Sequence, residues 1–83
     1  MKIRYFAWLR ERLDRGEEEI SPPESVRTIA DLIDWLRARD PAAEAAMAKP
    51  ELIKAAIDTE LVPHSATIAG ARVIALFPPM TGG

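Results

Sequence analysis

The chain contains no cysteine and a single histidine, His64. It therefore forms no disulfide or thiolate metal site, and it has no thiol that could act as a nucleophile or carry a persulfide. One histidine is too few for a histidine-based metal cluster, and no Ser-His-Asp or Cys-His system is indicated. The acidic pair Asp31 and Asp34 has no glycine-rich phosphate loop to accompany it. These features argue against an independent enzyme.

Long apolar runs and concentrated basic stretches are also missing. No segment approaches the ~20 apolar residues that span a bilayer, and charges interrupt the N-terminal stretch where a signal peptide is apolar. The 11 basic residues are scattered and the net charge is -2, so we expect no nucleic-acid or membrane partner and a cytoplasmic protein. The 83 residues, 48% of them hydrophobic, predict one small soluble domain.

The first 20 residues predict a hairpin. Alternation over residues 2–9 predicts a first strand that places Phe6 and Trp8 on the face opposite Ile3. A helical turn is expected at 9–13, and a second strand is expected to return at 17–20.

The clearest local element begins at Thr28. The run from Thr28 to Asp31 resembles a capping box, which predicts a helix start. Apolar residues then recur at helical spacing, at Ile29, Leu32, Ile33 and Leu36. Asp40-Pro41 ends the helix, because a residue before proline is pushed out of the helical region. This helix is expected to pack on one face of a sheet.

In the rest of the domain, the sequence predicts a helical connector at 42–48 and strands at 51–58, 61–62 and 72–77. The order of elements fits an α+β roll, a mixed sheet packed on one main helix, for which the β-grasp fold is the obvious candidate. In that fold the first and last strands are neighbours. Phe6 and Phe77 would then meet on the face opposite the helix.

The C-terminal residues form a distinct segment. Pro78-Pro79 fixes two φ angles and removes two backbone donors, so the last strand should end at Phe77. We predict a domain at 1–77 and an extended tail at 78–83, which can reach at most ~20 Å. The tail residues expected to insert into a partner are Pro78, Pro79, Met80, Thr81 and Gly82, and Gly83 carries the terminal carboxylate.

Three stretches resemble the small subunit of molybdopterin synthase, also called molybdopterin-converting factor subunit 1. The strongest is the terminal run ALFPPMTGG at 75–83, and the others are YFAWLRE at 5–11 and AAIDTELV at 55–62. The resemblance spans nearly the whole chain. Two departures are Asp58, where asparagine is commoner in the family, and the run AGARV at 69–73, where a Gly-Asp-Glu-Val-like turn is frequent.

The resemblance implies a β-grasp sulfur carrier that is not catalytic on its own and binds no cofactor. A partner enzyme would adenylate the Gly83 carboxylate with Mg-ATP, and a sulfur donor protein would convert it to a thiocarboxylate. Inside the large synthase subunit, the thiocarboxylate would donate sulfur to cyclic pyranopterin monophosphate. Two donations would complete the dithiolene of molybdopterin. The expected assembly is a heterotetramer of two small and two large subunits.

The resemblance also assigns partner-binding residues. Phe6, Leu61 and Phe77 match the family's apolar contact with the large subunit, and Arg10 is a candidate for an ion pair at its rim. Three alternatives remain open from the sequence: a sulfur carrier for thiazole synthesis, a ubiquitin-like protein modifier, and a pure interaction module with an inert tail. The Phe-Pro-Pro run and the chain length favour the molybdopterin interpretation over the thiazole one.

Overall fold

The computed structural model describes residues 1–79, which form one sheet with helices packed against it. The strands are β1 Lys2–Tyr5, β2 Glu17–Glu19, β3 Lys54–Ile57, β4 Glu60–Val62 and β5 Val73–Phe77. The helices are α1 Ala7–Leu13, α2 Ile29–Arg39 and α3 Pro41–Ala46, followed by a 3-10 turn at Pro50–Leu52. The predicted tail residues Met80, Thr81, Gly82 and Gly83 lie outside the described residues, and the boundary at 77/78 stays a prediction.

The strands lie side by side in the order β2-β1-β5-β3-β4. The predicted neighbours β1 and β5 are paired, and they run parallel, whereas all other pairs are antiparallel. Residues that face each other across a ladder point to the same side of the sheet. Ile3 pairs with Ile74 and Tyr5 with Leu76, and all four side chains are buried. One side of the sheet is therefore the core side.

Helix α2 covers the core side, as its apolar stripe predicted. Ile29, Leu32, Ile33 and Leu36 are at most 1% exposed and belong to the same cluster as the buried residues of β1 and β5. Burial of each such side chain contributes roughly 1.5 to 3 kcal/mol before entropy costs. The predicted mixed sheet packed on one main helix is confirmed.

The predicted first strand was wrong beyond Tyr5. Residues 7–13 are helical, and the helix starts two residues before the predicted turn. Leu9 and Leu13, four residues apart, are both buried, so helical spacing decides this segment. Phe6 stays extended, and Ala7 turns the chain with a φ of 54°. Trp8 consequently lies half-buried on α1 and does not share a strand face with Phe6.

The third strand is shorter than the predicted 51–58. Pro50 occupies the first position of a 3-10 turn, where its fixed φ is favourable, and the strand begins only at Lys54. The predicted connector at 42–48 is helix α3. Its start is set by Asp40, whose side chain accepts a hydrogen bond of 2.9 Å from the backbone N–H of Ala42.

A polar network ties the β1–β2 hairpin to the junction of α2 and α3. The Tyr5 hydroxyl donates to Glu18 at 2.6 Å, and Arg15 bridges Glu18 at 3.2 Å and Asp40 at 2.7 Å. Arg39 also pairs with the Glu18 carboxylate. Burial, together with the hydrogen bond to Glu18, raises the pKa of Tyr5 well above its usual value. The network keeps the acidic strand β2 attached to the helices.

Acid is expected to weaken this network through Asp40. The Arg15 guanidinium, and next the Ala42 N–H, lower the pKa of Asp40 below its ordinary value. A lowered folded-state pKa stabilises the fold above the unfolded pKa, and this contribution disappears as the pH falls through the folded value. Asp40→Asn should therefore reduce the free energy of unfolding at pH 7 and flatten its decline between about pH 5 and pH 2.

Urea unfolding at a series of pH values measures this effect. Asp34→Asn is the control, because the Asp34 carboxylate is 73% exposed and its contact with Arg37 is long, at 3.9 Å. An Asp40→Asn variant with the full pH dependence of the unsubstituted protein would contradict the assignment.

The capping box of α2 makes a separate prediction. Thr28 accepts from the Asp31 backbone N–H at 3.2 Å, and the Asp31 carboxylate accepts from the Thr28 N–H at 3.2 Å. Thr28→Ala should lower the free energy of unfolding by about 1 kcal/mol, because one helix N–H loses its acceptor. Thr28→Ser keeps the hydroxyl and should restore most of the loss in thermal or urea unfolding.

Candidate functional site

The side of the sheet opposite α2 carries an apolar surface that we call the open face. It comprises the outward residues of four strands together with Phe6. The pairing register places Arg4 beside Ala75, Ala75 beside Ala56, and Ala56 beside Leu61. Leu61 is 69% exposed and Phe6 45% exposed, although both are large and hydrophobic. Large exposed apolar side chains grouped on one surface are typical of a binding site.

Two adjoining hollows lie on the open face. The first has a volume of about 530 Å³. Its floor includes Ala56 and Ala75, whose small side chains leave a depression at the centre of the sheet. Arg4 and Arg72 also line this hollow. The second hollow, of about 560 Å³, is lined in part by Phe77, Pro78 and Pro79. Phe6 and Ala75 line both. The apolar surface is thus continuous from the middle of the sheet to the start of the tail.

A tight turn shapes one end of the first hollow. Asp58 and Thr59 connect β3 to β4 with φ angles of 47° and 76°. Positive φ at both central residues is the type I′ geometry, which aspartate and asparagine tolerate best. Asp58 Oδ1 also accepts from the backbone N–H groups of Arg72 at 3.1 Å and Val73 at 2.9 Å. Asparagine offers the same Oδ1 acceptor, so aspartate at this position retains the turn.

The structure brings Phe6 and Phe77 together and places Arg10 in a neighbouring polar hollow that shares Ala7 with the second hollow. Phe6 and Phe77 line the same hollow, and the backbone N–H of Phe6 donates to Leu76 at 3.2 Å. Leu61 lies on the same face, two strands from β5. Arg10 instead lies exposed on α1, where it lines a polar hollow and packs over Gly16. A Cβ at Gly16 would be 3.2 Å from Arg10 Nε, a close contact that a small shift of the exposed guanidinium would relieve.

The predicted tail begins beside the open face. Pro78 is buried and Pro79 half-buried, and both line the second hollow with Phe77. We call these two prolines the tail base. The other predicted insertion residues, Met80, Thr81 and Gly82, and the carrier residue Gly83 lie outside the described range.

Sequence reasoning assigned no site role to four residues that line the second hollow, Ala7, Trp8, Leu52 and Ala75. Leu52 is 45% exposed and belongs to the 3-10 turn that Pro50 starts. Two signals were available: the buried spacing of Leu9 and Leu13, which places Trp8 on a helix, and a proline suited to a first helical position. Neither signal indicates exposure, so their place in the site emerges only from the fold.

Within residues 1–79, the structure contains no group of three or more histidine, aspartate or glutamate side chains that could hold a metal ion. In the same range, no helix is long and apolar enough to cross a membrane. His64, the lone histidine, has its Nε2 atom 2.6 Å from the Ile53 carbonyl oxygen and thereby fastens the loop after β4 to the start of β3. Its position is structural.

The architecture defines the class: a ubiquitin-like β-grasp. SAMP1 from Haloferax volcanii has a TM-score of 0.76 and 25% identity, over 100% of this chain and 98% of that chain. A Pyrococcus furiosus protein provisionally named molybdopterin converting factor, subunit 1 has a TM-score of 0.73 and 24% identity, over 95% of each chain. A second H. volcanii structure, of small archaeal modifier protein 1, gives 0.75 and 24%, over 96% of this chain and 97% of that one.

The sequence itself places the chain within that class. The model of the ThiS family matches residues 3–83, so the chain belongs to the ThiS family of ubiquitin-like sulfur carriers. The predicted β-grasp fold is confirmed. No curated protein matches this chain significantly.

The open face should contribute little to folding stability. Leu61 is 69% exposed, so Leu61→Ala should change the free energy of unfolding by no more than about 0.5 kcal/mol. Leu76→Ala is the matched substitution on the core side, where the side chain is fully buried, and it should cost about 2 to 5 kcal/mol. Equal losses in urea unfolding would show that the open face is part of the core.

Proposed function

We propose that this protein is the sulfur-carrying small subunit of molybdopterin synthase. The observation that carries the proposal is the continuity of the apolar open face with the tail base, because a partner that docks on the face also receives the tail. The Phe77-Pro78-Pro79 run and the similarity to the P. furiosus protein provisionally named molybdopterin converting factor, subunit 1 support this pathway. The small subunit is then a substrate-bearing protein, and its large partner is the catalyst.

The carried group is the C-terminal carboxylate of Gly83. An activating enzyme joins this carboxylate to the α-phosphate of Mg-ATP, which releases pyrophosphate and leaves an acyl-adenylate. A sulfide-level sulfur nucleophile then displaces AMP and gives the thiocarboxylate, and a persulfide donor requires a thiol reductant in addition. The thiocarboxylate sulfur then replaces an oxygen substituent on a side-chain carbon of the pterin precursor, which gives a thioester. Water cleaves the acyl–sulfur bond of this thioester, so the sulfur stays on the pterin and the carboxylate is regenerated. Two carriers supply the two sulfurs of the dithiolene.

The division of labour agrees with the side chains that this chain offers. Phe6, Leu61 and Phe77 provide docking area, while the acids, bases and phosphate-binding groups belong to the partners. Four residues follow Pro79, and they extend at most ~13 Å. A partner must therefore bring its active site close to the tail base. Two glycines at the end allow the carboxylate to enter a channel too narrow for side chains.

A second function has its own support. SAMP1 is similar over the whole chain, and its companion structure is named small archaeal modifier protein 1. In a modifier, a lysine amine of another protein would attack the same acyl-adenylate, form an isopeptide bond to Gly83 and release AMP. The match to the ThiS family is also compatible with a sulfur carrier for thiazole synthesis. All three use the Gly83 carboxylate and differ in the acceptor.

Reconstitution distinguishes these acceptors. With the activating enzyme, Mg-ATP and a sulfur donor, the intact mass should rise by one oxygen-to-sulfur exchange located at Gly83. Addition of the large subunit and cyclic pyranopterin monophosphate should then yield dithiolene and return the carrier to its starting mass. A chain without Gly83 is the control and should stay unchanged.

Two results would contradict the proposal. A mass change at another residue would remove the carrier mechanism. A thiocarboxylate that forms but transfers no sulfur to the pterin precursor would favour the thiazole or modifier function, and lysine conjugates of this chain would identify the latter.

A further inference from the structure

A second exposed apolar area lies beside the tail base, on the side of α1. We call it the flank surface and define it by Trp8, Arg12, Ala48, Lys49 and Leu52, which line one hollow together. Trp8 and Leu52 also line the hollow that contains the tail base, so the flank surface adjoins the open face there. The Arg12 guanidinium lies 4.7 Å from the centre of the Trp8 ring, at cation–π distance.

The open face alone is small for a stable protein contact. Four strands about 4.8 Å apart, each about four residues long, span roughly 250 Å² of sheet plane. Specific interfaces bury about 800 Å² on each partner. A partner that binds the open face firmly must also cover a neighbouring surface.

The tail determines which neighbour is covered. Because the carboxylate lies at most ~13 Å from Pro79, a partner that encloses it also surrounds the tail base. Phe6 and Phe77 of the open face line the hollow that contains the tail base. Trp8 and Leu52 of the flank surface line the same hollow. Enclosure of the tail therefore brings the flank surface into the same contact.

Charge gives the chemistry of the covering surface. Within residues 1–79, ion pairs engage four basic side chains, Lys2, Arg15, Arg37 and Arg39. In that range the basic side chains of the open face and flank surface form none: Arg4, Arg12, Lys49, Lys54 and Arg72. The sequence-adjacent acids Glu11 and Glu51 line neither the second hollow nor the hollow of the flank surface. Asp58 is the carboxylate that lines the first hollow, and its Oδ1 accepts hydrogen bonds from the backbone N–H groups of Arg72 and Val73. Unpaired cations around an apolar floor are complementary to acidic side chains around an apolar ridge.

We propose that the flank surface is the second half of the docking site for the large synthase subunit, which contacts Leu52 and Trp8 with an apolar ridge and Lys49 and Arg12 with acidic side chains. This inference rests on the proposed function. It assigns partner binding to residues outside the Phe6, Leu61 and Phe77 set, and it makes the contact encircle the tail.

The experiment measures the dissociation constant between the full-length chain and the large subunit by calorimetry. Leu52→Glu should weaken binding about tenfold or more, because a charge replaces an exposed leucine at an apolar contact. Lys49→Glu should weaken it about fivefold, and less so at high salt. Ala38→Glu adds the same charge at an exposed position of α2 and should bind like the unsubstituted chain. Thermal unfolding verifies that each variant is folded.

The outcomes separate this inference from the proposed function. If the unsubstituted chain neither binds the large subunit nor transfers sulfur, the proposed function fails. If it does both while Leu52→Glu binds equally well and Leu61→Glu does not, only the flank assignment is overturned.

Two other results would identify a different partner for the flank surface. Pyrophosphate release that falls in Leu52→Glu, with unchanged affinity for the large subunit, would overturn the proposal and assign the flank to the activating enzyme. Sedimentation that shows a dimer of the unsubstituted chain and a monomer of Leu52→Glu, again with unchanged affinity, would overturn it in favour of a second copy.

Discussion

The parallel pairing of β1 with β5 is the constraint on which the rest of the structure depends. These strands come from opposite ends of the domain and lie next to each other inside the sheet. A contact of such long sequence separation carries a loop-closure cost, and it is stable only when the intervening elements also pack. The site therefore exists only in the folded domain, because Phe6 follows β1 and Phe77 ends β5.

Each side of the sheet has a different role. The core side is closed by α2, and the network around Glu18 and Arg15 holds the edge strand β2 to the helices. The opposite side is left low by Ala56 and Ala75 and bordered by cations without ion-pair partners in residues 1–79. The side chains of the core and those of the open face are thus separate sets, so we expect the open face to tolerate substitutions without loss of the fold.

Sequence patterns predicted the segments that carry either a helical or an alternating hydrophobic pattern, but not both. Helix α2 has a capping box and an unbroken helical stripe, and β5 alternates cleanly between buried Ile74 and Leu76 and outward neighbours. The segment after Tyr5 carries both an alternating and a helical pattern, and the buried pair Leu9 and Leu13 decided in favour of the helix.

The site was predictable where topology alone placed its residues. The meeting of Phe6 and Phe77 follows from neighbouring first and last strands. Leu52 could not be predicted, because exposure of one leucine in a turn depends on what surrounds it in space. Arg10 lines a polar hollow that shares Ala7 with the second hollow, and its ion pair at the rim stays a prediction.

The alanine floor has a consequence for cells that contain several carriers of this fold. Ala56 and Ala75 face each other across neighbouring strands, so the depth of the first hollow is set by the side-chain volume at two positions. A larger residue at either one fills the hollow, and a partner accepts it only if its own protruding group is correspondingly smaller. Size matching of this kind produces mutually exclusive pairs. The side-chain volumes at positions 56 and 75 would then decide which partners fit the first hollow of each carrier.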